Sequence, residues 1–392
     1  MRSFFAFSLS LFLATTGAVS ANVPCGGDFA GFVSRMEREA VRMGHDPALA
    51  SQFFASVRQD PAVIRADRSQ GIFQRPFTDF SRRLISQNRI DNGRRNAQRW
   101  QSVFDRVERE YGVSRGILLS FWAFETDFGA VQGDFNTVNA LMTLSHDCRR
   151  PDLFRPHVFA ALELFRRGDL DPRTTTGAWA GEIGMVQMLP EDIIRNGVDG
   201  DVDGRVSLKT SAPDALMSGG RMLRSLGWRP NEPWLQEITV PDNLDWSQAG
   251  VDIWKPVAEW ERLGVRGRNG ALARGLSGAI LLPEGRNGPA FIAYPNYLVL
   301  FEWNKSFVYV LTAAYFATRL EGAPVYDAGN PTPALSGEEL QTLQRRLTAR
   351  GHDVGGIDGI LGAMTRAAVR AEQKRLGLPA DSWPTRELLN RL

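Results

Sequence analysis

The segment SRGILLSFWAFETDFG, residues 114–129, decides the fold because it predicts an apolar helix that carries an acid. Ser114 is a favourable helix N-cap, and the residues that follow it are mostly apolar up to Phe128. Gly129 is typical of the position just after a helix. We therefore predict a buried helix that runs to Phe128 and places Glu125 on an apolar face.

Glu125 has no basic residue at the helical positions three and four residues away, which are Phe121, Trp122, Phe128 and Gly129. Burial among apolar side chains raises the pKa of a carboxyl group, and the negative end of the helix dipole adds to this effect. One interpretation is a carboxylic acid that donates a proton near neutral pH. A salt bridge with one of the chain's arginines explains the position equally well.

Asp127 is the carboxylate nearest to Glu125 in sequence, but it is not a suitable catalytic partner. Two residues apart on a helix, the side chains diverge by about 200°. Ordinary glycosidases use two facing carboxylates. The local sequence therefore predicts one candidate acid.

The amino-acid composition excludes several classes of protein. The chain has 392 residues, with 46 Lys and Arg against 44 Asp and Glu, and 43% of its residues are hydrophobic. These values exclude a polytopic membrane protein, a collagen-like fibre and a wholly disordered chain. The net charge of +2 argues against a dedicated nucleic-acid binder, so we expect no nucleic-acid partner. The length predicts two or three domains.

Residues 1–21 have the pattern of a secretory signal peptide. Arg2 is followed by a short apolar run, and residues 19–21 (Val-Ser-Ala) form a small-residue cleavage site. We expect a mature protein in the periplasm of a Gram-negative envelope, without an integral membrane segment after cleavage. Cys25 and Cys148 are the only cysteines and should form a disulfide there.

The remainder divides into a main domain, a linker and a small tail. We assign 22–320 to the main domain, with helical patterning first, a small β-element within 272–294 and one long apolar helix over 301–320. Residues 321–334 are rich in Gly and Pro and are typical of a linker. Residues 335–392 predict a three-helix module.

A second segment of the main domain has residues suited to a ligand site. Gly181 and Gly184 allow the backbone to approach a bulky ligand closely. Gln187 offers both a donor and an acceptor to a sugar hydroxyl or acetamido group. The same Gly-rich composition also builds tight cores.

Three segments together carry a family resemblance. They are FWAFETDFG (121–129), AGEIGMVQMLP (180–190) and YPNYLVLFEWNKS (294–306). Through them, residues 28–320 resemble the MltB-type soluble lytic transglycosylases. QRRLTARGHDVGGIDGILGAMTRAAVRAEQ (344–373) resembles the peptidoglycan-binding domain that is often fused to that family.

The resemblance implies a mainly α (α+β) fold, in which a lysozyme-like transglycosylase domain with a small β-element precedes a three-helix peptidoglycan-binding module. It implies cleavage of the β-1,4 bond between N-acetylmuramic acid (MurNAc) and N-acetylglucosamine (GlcNAc). Glu125 protonates the glycosidic oxygen with assistance from the substrate's acetamido group. The same residue then takes the proton of the C6 hydroxyl, which gives 1,6-anhydroMurNAc ends. No cofactor is required, and we expect a monomer that binds glycan strands.

The expected substrate-binding residues follow from the same segments and their surroundings. They are Gln187, Gly184, Asn296, Trp303, Tyr294, Arg149 and Arg150. The two arginines would contact peptide or lactyl carboxylates, although solvated arginines are the simpler interpretation. Glu182 stands where relatives commonly have Ala, and it either adds a carboxylate near the site or pairs with an arginine.

VDGDVDG, residues 198–204, resembles the start of a calcium-binding loop. Thr210 stands where the loop's bidentate Glu is expected. Relatives use a later Asp at this point, so we expect structural Ca²⁺ held by Asp199, Asp201, Asp203, Asp214 and the carbonyl of Arg205. Asp-Gly turns without a metal are the alternative.

Two other functions stay open from the sequence. A hydrolytic muramidase would release reducing sugar ends. A non-catalytic scaffold would bind peptidoglycan without cleaving it.

Overall fold

A computed structural model of the protein describes residues 24–69 and 74–392, so the predicted signal peptide lies outside the described residues. The described chain is mainly helical, as predicted. Its helices are α1 (Phe29–Arg42), α2 (Pro47–Phe54), α3 (Pro61–Arg68), α4 (Phe77–Leu84), α5 (Gln87–Arg99), α6 (Gln101–Tyr111), α7 (Arg115–Thr126), α8 (Thr137–His146), α9 (Pro151–Arg167), α10 (Pro190–Asn196), α11 (Ala212–Ser225), α12 (Val257–Arg262), α13 (Pro295–Trp303), α14 (Phe307–Leu320), α15 (Gly337–Ala349), α16 (Ala363–Arg375) and α17 (Arg386–Arg391). None of these helices combines the length and the apolar character needed to cross a bilayer.

Two small antiparallel sheets accompany the helices. The strands are β1 (Phe135–Asn136), β2 (Thr176–Gly177), β3 (Leu235–Thr239), β4 (Lys255–Pro256), β5 (Arg266–Gly267), β6 (Ser277–Leu281) and β7 (Phe291–Ala293). β1 pairs with β2, and the larger sheet has the order β4-β6-β7-β3-β5. The β-element predicted within 272–294 is therefore present as β6 and β7. Three further strands from residues 235–267 enlarge it around a second apolar core that includes Trp260 and Ile280.

The predicted apolar helix is α7, which lies in the main core against α14. Ser114 caps α7 by accepting from the Gly116 amide at 3.0 Å, and Ser120 donates to the Ala313 carbonyl of α14 at 2.8 Å. The helix ends at Thr126 rather than at Phe128, which corrects the predicted end. Asp127 and Phe128 adopt positive φ angles of 51° and 60°, so the chain already turns there.

The long helix predicted over 301–320 is divided in two. Asn304 is extended, and its side chain accepts from the Ser306 amide at 2.9 Å. The Ser306 side chain then caps α14 by accepting from the Tyr309 amide at 3.4 Å. This local capping starts a new helix despite the continuous apolar pattern, and it brings side chains from both α13 and α14 towards the end of α7.

Cys25 and Cys148 form the predicted disulfide, which links residues 123 positions apart. The bond fastens the segment before α1 to the turn between α8 and α9. His146 adds a hydrogen bond from its ring to the Gly27 carbonyl at 3.0 Å. The N-terminal segment of the described chain is thus held on the main body.

The C-terminal residues form the predicted three-helix module, with a capping box between Ser336 and Glu339 at the start of α15. The module is fastened to the main body by ion pairs from Arg370 to Asp252 and from Arg286 to Asp381. Arg366 is half-buried at this junction, where its guanidinium lies 4.5 Å from the centre of the Phe307 ring and donates to the Pro283 carbonyl at 2.7 Å.

The segment predicted as a linker, residues 321–334, also packs on the body. Tyr326 is buried, and its hydroxyl lies 2.8 Å from the Ser81 hydroxyl. The Thr332 carbonyl accepts from the Trp383 indole at 2.8 Å. The module is therefore held in one orientation by contacts on both sides of the linker.

Candidate active site

Glu125 lies one residue before the end of α7 and is contacted by two aromatic donors. The Tyr309 hydroxyl donates to its Oε1 at 2.5 Å, and the Trp303 indole donates to the same oxygen at 3.2 Å. Phe121, one turn earlier on α7, stacks on Trp303 with ring centres 4.4 Å apart. Both partners depend on the break between α13 and α14, since each helix supplies one of them.

Burial dominates the electrostatics of Glu125. It raises the pKa of the carboxyl from 4.5 to about 7, although the hydrogen bonds from Tyr309 and Trp303 lower it, and the charge of Glu182 raises it further. The pKa of Tyr309 is also well above its ordinary value because this phenol is buried beside Glu125. Glu125 is therefore an acid that keeps its proton into the neutral range.

In the described chain, no arginine forms a salt bridge with Glu125. Arg89, which lies close by, pairs instead with Asp127 at 3.0 Å and stacks over the ring of Phe124. The open choice between a raised-pKa acid and an ion-paired glutamate is thus answered by the contacts. The Arg89 guanidinium pairs with the more exposed carboxylate of Asp127, and the buried carboxyl of Glu125 has the neutral donors Tyr309 and Trp303.

The loop from Gly177 to Met188 is joined to the end of α7. Thr126 donates to the Met185 carbonyl at 2.6 Å and accepts from the Gly129 amide at 2.9 Å. Gln187 adopts a φ of 53°, and its amide donates to the Gly184 carbonyl at 2.8 Å. The second segment identified in the sequence therefore lies beside Glu125, with the side chain of Gln187 folded back on its own loop.

Gly184 serves packing rather than ligand approach. It has a φ of 84°, and a Cβ there would lie 2.5 Å from both the Cβ and the carbonyl oxygen of Leu208. The space that the missing side chain leaves is thus filled by the neighbouring chain. The expectation that Gly184 opens the backbone to a substrate is corrected accordingly.

Asn296 and Tyr294 are also structural in this fold. Both are fully buried. The Asn296 amide donates to the carbonyls of Arg229 and Glu232, each at 2.8 Å, and accepts from the Arg229 amide at 2.7 Å. The Tyr294 hydroxyl donates to Gln236 at 2.9 Å. Neither side chain presents an atom to a groove, which corrects the expectation that they bind sugars.

A cleft of about 810 Å³ lies between the main body and the C-terminal module. The main body contributes Trp303, the hydrogen-bond partner of Glu125, and also Glu182, Trp179 and Arg150. The opposite wall comes from the C-terminal module, with the lining residues Val354, Gly355, Gly356, Asp358, Ile360, Gly362, Ala363 and Met364. Sequence reasoning missed Trp179, Tyr309 and this second wall, because only the tertiary fold brings them to the site.

Arg149 and Arg150 form one cluster with a buried aspartate. Both guanidinium groups pair with Asp67 of α3, which is almost fully buried. Arg150 also stacks 5.3 Å from the centre of the Phe154 ring and lines the cleft, whereas Arg149 does not belong to that lining. Arg150 is therefore the member of the pair that is placed to meet a ligand.

The acidic loop gathers three of its expected ligands. Asp199, Asp201 and Asp203 each offer a carboxylate oxygen, and these oxygens lie within 4.8 Å of one another. Asp214 is fully buried, and its two oxygens accept from the Gly200 and Ser207 amides at 2.8 and 2.6 Å. Three close carboxylates suit a hard cation. Asp214 instead holds the loop on α11 through these two amides, so the expectation that it is a metal ligand is corrected.

Comparison with protein families assigns both parts of the chain. Residues 28–318 match the transglycosylase SLT domain, and residues 336–392 match the putative peptidoglycan binding domain. The first match covers most of the chain. The chain belongs to the transglycosylase SLT domain family.

Solved members of this transglycosylase family share the architecture. SltB3 from Pseudomonas aeruginosa, solved in complex with NAG-NAM-pentapeptide, is 34% identical; the match covers 93% of this chain and 100% of that chain, with a TM-score of 0.85. Escherichia coli Slt35, solved in complex with calcium, is 21% identical; the match covers 76% of this chain and 96% of that chain, with a TM-score of 0.65. SltB3 thus matches the chain over both domains.

A curated relative of this transglycosylase matches a shorter stretch. Membrane-bound lytic murein transglycosylase B of Escherichia coli (strain K12) is 27% identical over 150 residues. That match spans 38% of this chain and 41% of the relative's length. The similarity therefore supports the family, and the relative's whole activity does not follow from it.

Proposed function

We propose that the protein is a lytic transglycosylase that cleaves the β-1,4 bond between MurNAc and GlcNAc in peptidoglycan. Glu125 is the catalytic acid and base in this proposal. One observation carries it: two neutral donors, from Tyr309 and Trp303, bind the same oxygen of a carboxyl group that is otherwise buried without a cation.

The arrangement suits proton donation. Because both donors bind Oε1, the proton of the neutral acid resides on Oε2, which is free to deliver it to the glycosidic oxygen. The bond between that oxygen and C1 of MurNAc then breaks, and the substrate's acetamido carbonyl stabilises the developing positive charge. A general acid with a pKa near the working pH is the most effective one.

The second step returns the proton to Glu125. The carboxylate left on Glu125 accepts the proton of the MurNAc C6 hydroxyl while the hydroxyl oxygen attacks C1. The product is a 1,6-anhydroMurNAc end, no water is consumed, and Glu125 is again protonated. Tyr309 and Trp303 hold the carboxylate in place between the two steps.

The cleft supports glycan strands as the partner. Trp303 and Trp179 offer aromatic faces, Arg150 offers a guanidinium for a substrate carboxylate, and the peptidoglycan-binding module supplies the opposite wall. Gln187 lies in the same loop as Trp179 and Glu182, and its side-chain carbonyl stays available to a sugar while its amide donates to the Gly184 carbonyl. We propose a monomer, since one chain forms both walls, and a periplasmic location, since relatives act on murein.

Calcium binding by the acidic loop forms part of the proposal. Asp199, Asp201 and Asp203 fit a hard cation, because their three close negative charges repel one another until a cation binds. The site lies away from Glu125 in the chain and would stabilise the loop between α10 and α11. We expect calcium to raise the melting temperature of the wild type and to leave that of Asp201→Asn unchanged, as measured by differential scanning fluorimetry.

Product analysis tests the proposed activity. Purified sacculi are digested with the protein, and the released muropeptides are analysed by mass spectrometry. We expect 1,6-anhydroMurNAc ends, which lack one water relative to reducing ends. Reducing ends would indicate the hydrolytic muramidase. Binding to sacculi without release would indicate the non-catalytic scaffold.

A further inference from the structure

Arg89, in the first turn of α5, contacts α7 on both sides of Glu125 along the chain. Its guanidinium lies 5.8 Å from the centre of the Phe124 ring, one residue before Glu125. Its Nε donates at 3.0 Å to Oδ1 of Asp127, two residues after Glu125. Its Nη1 donates at 3.0 Å to the carbonyl of Leu84, which orients the guanidinium from the end of α4. Arg89 thus joins the end of the helix that carries the acid to two neighbouring helices.

The chain around Asp127 has a backbone conformation that needs support. Asp127, Phe128 and Gly129 have φ angles of 51°, 60° and 89°. This left-handed region is freely open to glycine, whereas an Asp and above all a Phe need contacts that hold them there. The apolar sequence pattern favours a helix that continues to Phe128. Two contacts oppose this extension: the ion pair of Asp127 with Arg89, and the hydrogen bond from the Gly129 amide to the Thr126 hydroxyl at 2.9 Å.

Phe124 links Arg89 to the hydrogen-bond partner of Glu125. The Phe124 ring lies at 69° to the ring of Tyr309, with ring centres 6.0 Å apart. The Tyr309 hydroxyl in turn donates to Glu125 at 2.5 Å. Arg89 therefore reaches the acid in two ways, through the turn that follows it and through the aromatic rings that pack before it.

We propose that Arg89 is a positioning residue that holds the carboxyl of Glu125 against Tyr309. It does so by fixing the ring of Phe124 and the turn at Asp127. Arg89 does not belong to the lining of the cleft, so it acts on the geometry of the acid and not on the bound glycan. This inference rests on the proposed role of Glu125 as the general acid. Proton transfer requires the acid within hydrogen-bond reach of the glycosidic oxygen, and a displacement of about 1 Å lowers the rate strongly.

The test measures muropeptide release by the full-length wild type and by Arg89→Gln over a range of concentrations of purified sacculi. Arg89→Gln removes the guanidinium from both Phe124 and Asp127. We expect kcat to fall about tenfold, because the acid is displaced from its productive position. The apparent KM should stay within about twofold of the wild-type value, because binding of the glycan does not involve this side chain.

Substitutions at Asp127 separate the ion pair from the backbone conformation. Asp127→Asn keeps an acceptor for Arg89 and tolerates the left-handed region, so its kcat should stay close to the wild-type value. Asp127→Gly keeps the backbone conformation but has no acceptor, and its kcat should fall about threefold, since the contact with Phe124 remains. In the Arg89→Gln background Asp127→Gly should have little further effect, because the ion pair is already absent.

A matched control removes an arginine with the same kinds of contact elsewhere. Arg268 donates to the Glu237 carboxylate at 2.5 Å and to the Val325 carbonyl at 3.4 Å, and it does not line the cleft. Arg268→Gln should therefore lower the melting temperature without lowering kcat. All variants are assayed well below their melting temperatures, so that a lower kcat reports a displaced acid and not a smaller folded fraction. Asp127→Gly keeps the inference testable if Arg89→Gln does not fold.

Three results would overturn the inference. One is a wild-type kcat in folded Arg89→Gln or in Asp127→Gly. Another is a higher KM with an unchanged kcat, which would make Arg89 a determinant of substrate binding. The third is an equal fall of kcat in Arg268→Gln. Each of these leaves the proposed function standing, whereas no release by the wild type, or wild-type release by Glu125→Gln, would overturn that function and the role of Arg89 together.

Discussion

Two glutamates near the C-terminal ends of two different helices have opposite electrostatics. Glu125, at the end of α7, has a pKa raised to about 7, whereas Glu163, in the last turns of α9, has a pKa lowered to about 2. Glu125 is surrounded by Phe121, Tyr309 and Trp303. Glu163 accepts charged hydrogen bonds from Arg166 at 2.6 Å and from Arg167 at 2.9 Å.

The difference shows that burial and the hydrogen-bond partners, and not the residue type or the helix position, set the protonation state. A guanidinium stabilises the anion, and solvent reaches Glu163 to help it. At Glu125 the phenol and indole donors compensate only part of the cost of burial. The chain contains 46 Lys and Arg, yet none pairs with this carboxylate in the described residues. The fold thus buries Glu125 in surroundings that disfavour its ionised form, and this lowers the free energy of unfolding when the group ionises.

The largest expected effect concerns activity. Glu125→Gln retains the shape of the side chain but cannot give up or accept the proton, so we expect muropeptide release to fall by about 10²–10⁴-fold. Glu163→Gln is the matched variant, since it makes the same change at a residue that does not line the cleft. It should retain wild-type rates. Wild-type release by Glu125→Gln would exclude this residue as the acid.

The second expected effect concerns stability and has a defined sign. A pKa raised from 4.5 to about 7 means that the unfolded state gives up its proton first as the pH rises. The free energy of unfolding therefore decreases as the pH rises from 4.5 to 7, by about 3 kcal/mol when the effect is fully developed. Glu125→Gln removes this cost, so the variant should be more stable than the wild type at pH 8.

Denaturant unfolding of both proteins at pH 4 and pH 8 measures this effect. At pH 4 Glu125 is neutral in the folded state and mostly neutral in the unfolded state, so the two proteins should have nearly the same stability. The variant's advantage should be confined to the higher pH. An equal difference at the two pH values would show that packing, and not ionisation, distinguishes them.

Much of the fold could be predicted from local sequence. The N-cap Ser114, the apolar pattern of α7 and the capping box of Ser336 and Glu339 are signals over a few residues, and each gives the predicted helix. The break at Asn304 could not be predicted, because the apolar pattern continues through it. It depends on side-chain caps that compete with a single long helix.

The site was predicted less completely, for a physical reason. Glu125 could be found because the positions three and four residues away on its own helix offer no cation. Tyr309 lies 184 residues away and has no local mark of its role. The sequence predicts that Asn296 and Tyr294 bind sugars, but in the fold their polar atoms form hydrogen bonds with other buried groups of the protein. The glycine pattern of the loop could not distinguish ligand approach from packing, and at Gly184 packing decides.

The smallest expected effect comes from the other glutamate and has the opposite sign. A pKa lowered from 4.5 to about 2 means that the folded state holds the anion more firmly than the unfolded state. This contribution is complete above pH 4.5 and is lost as the pH falls towards 2. Glu163 and its arginines are partly exposed, so solvent screening limits the contribution to about 1 kcal/mol or less.

Glu163→Gln should therefore destabilise the protein slightly at pH 7 and not at pH 2, and 1 M salt should reduce the difference. If the loss of stability persists in 1 M salt, the Glu163 side chain stabilises the protein by packing on α9 and not by its charge. The contrast with Glu125 holds only if the charge of Glu163 is what stabilises the folded state.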